Sequence, residues 1–185
     1  MTRRERLRLA THDQHTALDR MIGDENHFGS VAGYAAWLRG GLGFHRDMAS
    51  ALTPSCAAHN LPIEPLQRRV TLLERDLADL GETPGAQTPG HMSACASEPE
   101  ALGALYVTEG AALGSRVLLV RARTLGLSEC RGARQLAFAA HDLTPWRSFL
   151  CLLETCALSV EQEQRMVGAA RRAFATAMVH LSGRP

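Results

Sequence analysis

Two short runs place chemistry-bearing residues at helical spacing. The first is Thr11-His12-Asp13-Gln14-His15, inside a segment whose Leu7, Ala10, Leu18 and Met21 recur as one face of a helix. At roughly 100° per residue, His15 shares a stripe with Arg8, Thr11, Leu18 and Ile22, at the edge of the apolar face. A neutral imidazole there can offer one ring nitrogen to a metal while the other fixes the tautomer on a hydrogen-bond partner. The same position equally suits a half-buried histidine bonded to a nearby carbonyl. His12, beside Arg8, falls at the solvent rim.

The second run is Leu105-Tyr-Val-Thr-Glu-Gly-Ala-Ala-Leu-Gly-Ser-Arg116. Gly110 and Gly114 stand four apart and share a face with Gly103 and Val107, which leaves a stripe bare of side chains. Each glycine inside a helix costs about 1 kcal/mol against alanine, so two in one helix need a reason. Either a neighbouring helix approaches closely, or a flat ligand lies under the bare backbone and the helix bends at the glycines to follow it. Spacing alone leaves both open.

The elements that carry these runs are helical. Alanine, leucine and arginine are abundant, isoleucine and tyrosine scarce, and no two-residue alternation is sustained, so an all-α fold is expected. Helix one spans about Arg3 to Ile22, ending at the Gly23-Asp24 turn signal. A second runs from about Val31 to Leu52, stopped near Pro54, and a third from about Ile63 to Leu80, with Leu66, Val70, Leu73, Leu77 and Leu80 as its apolar stripe. Residues 81–97 are rich in Gly, Pro, Ser and Thr and read as a surface loop. A fourth helix covers about Pro99 to Leu125. Shorter ones follow near Gln135 and from Pro145 to Cys156, and the last runs from Ser159 to Leu181.

Composition bounds what such a bundle does. A chain of 185 residues with 45% hydrophobic and 21% charged content has material for one core, so a single domain over 1–185 is expected. Twenty basic against nineteen acidic residues leave a net charge of +1, too even for a nucleic-acid binder. The apolar stretch from Ala101 to Val120 is interrupted by Thr108, Glu109, Ser115 and Arg116, which argues against a membrane span. The basic, polar amino terminus lacks the apolar run of a secretory signal, so the cytoplasm is expected. Five cysteines, scattered and odd in number, read as reduced thiols.

Leu7-x-x-Ala10-Thr11-x-x-x-His15, followed about 95 residues later by Gly110-x-x-x-Gly114, resembles the haem oxygenases. The wording LYVTEGAALGSRVL is similar to the bacterial, biliverdin-producing branch that often accompanies bacteriophytochromes. The resemblance covers most of the chain and extends to Trp146-Arg147-Ser148-Phe149 and to Ala169 through Phe174. It implies haem, at once cofactor and substrate, held between a proximal helix with His15 as iron ligand and a distal helix carrying Gly110 and Gly114. It further implies Arg8, His12 and Arg147 as cations for the propionates and Phe174 as an apolar wall. The products would be biliverdin, CO and iron, made with O₂ and electrons from an external donor such as a ferredoxin or reductase, and a bacteriophytochrome is an implied partner. Many members have Gly-Gly where this chain has Gly114-Ser115, and the animal enzymes have an Asp where it has Ala111. Ser115 or a water is therefore expected to supply the distal polar contact.

Other readings predict other features. A haem- or tetrapyrrole-binding protein that does not turn over would keep His15 and the bare stripe. A thiaminase-like enzyme needs an activated cysteine near a carboxylate, and neither Cys151 nor Cys156 is so spaced. A ferritin-like di-iron protein needs Glu-x-x-His, which does not occur. A structural helical module leaves His15, Gly110 and Gly114 unexplained.

Overall fold

The computed structural model describes residues 1–23, 25–85 and 90–182, with the backbone alone at positions 25 and 26. Asp24 of the expected turn, residues 86–89 of the expected loop and residues 183–185 lie outside it. Helices begin where a side chain can take up free amides. Thr2 caps α1 (Arg3–Ala10) and Ser159 caps α10 (Val160–Leu181), each in a reciprocal capping box, with Glu5 and Gln162 respectively. Between them run α2 (His12–Gly23), α3 (Glu25–Phe28), α4 (Val31–His59), α5 (Glu64–Asp79), α6 (Glu98–Gly110), α7 (Ala112–Thr124), α8 (Arg134–His141) and α9 (Thr144–Thr155). Apart from isolated bridges at Ser128, the described residues form no β-structure. The expected all-α class holds.

Three expected helices differ from those observed, each for a physical reason. The first breaks at Thr11, whose hydroxyl donates to Leu7 O at 2.8 Å, while Arg171 Nε of α10 donates to Ala10 O at 3.0 Å. The fourth breaks at Ala111, beside the Thr108 carbonyl, which accepts from Arg69 Nη1 of α5. In each case a side-chain donor intrudes on the carbonyl ladder, a recognised cause of kinks. The second helix does the opposite: it passes Pro54 and runs on to His59, ending at Asn60 in the left-handed region (φ 52°). A mid-helix proline costs about 3 kcal/mol. Burial of Ala51, Leu52, Ser55 and Cys56 on both sides of it offsets that cost.

The core has two parts, and α4 runs through both. One gathers Leu7 of α1, Met48 and Leu52 of α4, Leu105 of α6, Phe149 of α9 and Phe174 of α10. The other gathers Phe28, Tyr34, Leu38, Leu73 and Leu77 with Leu119 of α7 and Leu136 of α8. The tightest crossing is α6 on α10, where a Cβ on Gly103 would lie 2.0 Å from Met166 O, so only glycine fits. At the second layer, α8 has no cap of its own. Instead Asp76 of α5, fully buried, accepts from the amides of Arg134 and Gln135, both at 2.9 Å.

Candidate functional site

Helix α2 has no buried residue although its composition is amphipathic. It packs along α10, whereas α7 packs on α8, and the two are not packed on one another along their length. Their carboxyl ends do meet: Arg121 Nη1 of α7 donates to Ile22 O at 3.4 Å, with its guanidinium 4.6 Å from the centre of the Phe28 ring. Ile22 lies seven residues after His15, and Arg121 seven after Gly114. With about 1.5 Å of rise per residue, His15 and Gly114 each sit about 10.5 Å back along their helix from this junction. Away from this junction α2 and α7 are not packed on one another, so the exposed stripe of His15 and the bare stripe of Gly114 border a cleft between helices that meet at the Ile22–Arg121 end.

His15 occupies the α2 side of the cleft, with 61% of its side chain exposed. Its Nδ1 lies 3.0 Å from Asp19 Oδ2, one turn on, which leaves Nε2 as the nitrogen able to meet a metal. The Phe174 ring stands edge-on to the imidazole at 5.9 Å and is itself buried, so the two residues named from sequence are neighbours. On the α7 side, a Cβ at Gly114 would meet nothing within 4 Å among the described residues, and one at Gly110 would touch only the Trp146 ring, at 3.7 Å. Close helix approach therefore explains Gly103 but neither Gly110 nor Gly114. Val117, one turn past Gly114 on the same stripe, is exposed.

The polar groups divide between mouth and floor. At the amino end of α1, Thr2, Arg4, Glu5 and Arg8 line a cavity of about 390 Å³ with Leu150 and Glu154 of α9. Arg4 sits 5.8 Å over the Trp146 ring, which in turn lies 5.9 Å from Tyr106. Burial raises the Tyr106 hydroxyl pKa, opposed by the charges of Arg4 and Arg8, so Arg8 stands at the α1–α6–α9 junction. His12 and Arg147 are exposed, His12 opening α2 and Arg147 in the first turn of α9.

Ser115 is buried on the face of α7 that carries Ala112, Leu119 and Ala122, and its hydroxyl donates to Ala111 O at 3.3 Å. A further buried polar set lies beside the α6–α7 break: Arg69, Glu109 and His45. Arg69 Nη2 lies 3.0 Å from Glu109 Oε2, and burial lowers the pKa of the first and raises that of the second, each opposed by its partner. Burial, reinforced by the Arg69 charge, brings His45 down to about 4, and its Nδ1 bonds Gly41 O at 2.8 Å. Arg69 Nε, Glu109 Oε1 and His45 Nε2 are buried without a protein partner. Sequence reasoning missed this cluster because its members come from three helices; the charged Glu109 inside an apolar run was the one available signal.

The cysteines match a reduced interior and surface: Cys56 and Cys95 are buried, with thiols pushed up to about 11 chiefly by burial, and Cys130 and Cys151 are exposed. Among the described residues no helix is long and apolar enough to cross a membrane.

An exposed imidazole on α2 and side-chain-free backbone at Gly114, on two helices whose carboxyl ends meet, stand within an all-helical fold. The chain belongs to the haem oxygenase family, whose members bind haem: the family model described as "Heme oxygenase" matches residues 2–182. It is 31% identical over 173 residues to "Heme oxygenase PigA" of Pseudomonas aeruginosa, covering 93% of this chain and 87% of that protein. It is 38% identical over 113 residues to a "Heme oxygenase" of Xanthomonas campestris pv. campestris, covering 60% of each. Among solved structures, the NO- and CO-bound heme oxygenase of Neisseria meningitidis superposes with a TM-score of 0.83 at 29% identity, over 98% of this chain and 90% of that one.

Proposed function

We propose that this chain, as one domain over residues 1–185, cleaves haem oxidatively to biliverdin, CO and iron, using O₂ and an external electron donor such as a ferredoxin or reductase. The observation that supports this reading is the exposed His15, with Asp19 3.0 Å from its Nδ1, together with the open space at Gly114. When bound, haem supplies both the oxygen-activating iron and the ring that is opened.

The chain's own residues position and shield. His15 Nε2 would hold the haem iron, and Asp19, 3.0 Å from Nδ1, would accept from Nδ1–H, fixing the tautomer and making the imidazole a stronger donor. Gly110 and Gly114 carry no side chains on their stripe, which would leave room beside the backbone for haem and a small molecule such as O₂. Phe174 walls the His15 side with hydrocarbon. Arg8, His12 and Arg147 would meet the two carboxylates, the arginines with a fork of N–H donors that matches a carboxylate. The Arg69–Glu109 pair holds the break that brings the bare backbone to the cleft. The cytoplasm suits the reaction's need for reducing equivalents, and the resemblance of the segment around Gly110 to the phytochrome-associated branch makes a bacteriophytochrome the proposed acceptor of the bilin.

Titration with haemin tests the reading. A 1:1 complex with a sharp Soret band is expected, converted to a weaker or water-ligated spectrum by His15→Ala. Addition of ascorbate or a ferredoxin system should then bleach the band as biliverdin absorbance rises. A stable complex that no donor bleaches would mark the chain as a carrier or sensor of haem, and an unchanged spectrum in His15→Ala would remove His15 as ligand.

A further inference from the structure

Helix α2 is fastened at few places. Arg171 holds Ala10 O where α1 gives way to α2, Phe174 touches His15 midway, and Arg121 reaches Ile22 O in the last turn. The third fastening differs in kind because it comes from α7, across the cleft. Arg121 also falls on the stripe of Gly110, Gly114 and Val117, the one that borders the cleft. Its guanidinium lies 4.6 Å over the ring of Phe28, and Phe28 is packed 5.4 Å from Tyr34 and 5.3 Å from Trp37 in the core. The carbonyl it takes belongs to the carboxyl end of α2, where helix dipoles favour a cation.

We infer that Arg121 is a positioning residue which ties the proximal helix to the distal helix and so keeps His15 level with Gly114. The inference rests on the haem reading for its purpose but not for its geometry. A cation on the cleft-facing stripe of α7 is poorly placed for an apolar ring, and its engagement with Ile22 O and Phe28 directs it to the closed end instead. With the tie released, α2 keeps its contacts to α10 and the packing of Ile22 on the second core but loses its hydrogen bond to α7.

The test compares wild type with Arg121→Ala, Arg121→Met and Arg121→Lys by hydrogen exchange on the haem-free chain and by haem transfer to excess apomyoglobin. The alanine and methionine variants are expected to exchange α2 amides about tenfold faster, the scale of one charge-assisted hydrogen bond with a ring contact. Exchange in α4, α6 and α10 should stay unchanged. Haem release should quicken by a similar factor, and the lysine variant, which can still donate to Ile22 O, should recover most of both. Equal α2 exchange in wild type and the methionine variant, or faster exchange spread evenly over every helix, would overturn the inference. If the alanine chain does not fold, Arg121→Met, which keeps the hydrocarbon stem over Phe28, decides the question. A chain that takes up no haem would defeat the proposed function while leaving the exchange comparison to judge Arg121.

Discussion

Arg69 and Glu109 face each other 3.0 Å apart with 2% of each side chain exposed, so α5 and α6 are joined by an ion pair almost without water. The same guanidinium takes the Thr108 carbonyl just before α6 ends. One arginine therefore both neutralises a buried carboxylate and breaks the helix that carries Gly110 and Gly114.

Removing one partner leaves the other charge buried. Arg69→Met or Glu109→Leu alone should cost about 3–5 kcal/mol in urea unfolding, whereas the double replacement should recover most of that loss. A double variant whose cost equals the sum of the two single losses would show that the pair is not coupled.

His45 gives the fold an acid sensitivity of known sign. Its folded pKa of about 4 lies below the ordinary value of 6.5, so between those limits the unfolded chain binds the proton and the folded chain does not. Stability contributed by the neutral ring is fully present above pH 6.5 and is lost as pH falls toward 4. From pH 7 to 4.5 this loss amounts to about 2.5 kcal/mol. His45→Gln should lose that much less over the same interval, measured by denaturant melts at both pH values.

The glycines of α6 and α7 separate fold from site. Gly103→Ala drives a methyl into Met166 O and should destabilise the chain by about 3 kcal/mol or more. Gly114→Ala meets open space, so the haem-free protein should melt at the same temperature or higher, gaining up to about 1 kcal/mol of helix propensity. Haemin affinity should move the other way, falling in Gly114→Ala. Reversal of the two stability effects would contradict the packing described.

Gly110→Leu tests the bend. Its Cβ would rest at ordinary contact distance from Trp146, so the fold should survive, while the longer side chain obstructs the face of the cleft and lowers turnover at least tenfold. Biliverdin formation at the wild-type rate would show that Gly110 does not border the ligand.

The helices and the capping Ser159 were legible because they are local: periodicity and caps act within a few turns. The two breaks were not. Nothing near Thr11 or Ala111 in the chain announces that Arg171 and Arg69, from other helices, will take carbonyls beside them. The passage of α4 through Pro54 likewise depends on burial around Leu52 and Cys56, which outweighs the local penalty. The burial of Ser115 was not legible for a related reason, since the face of α7 that turns inward is set by its packing on α8.

Asp76 sits in α5 yet terminates the free amides of α8, 58 residues later. A fragment carrying only residues 130–142 would then have no carboxylate to start its helix and should remain coil in water. The start of α8, the helix on which α7 packs, is therefore written in α5 and not in its own sequence.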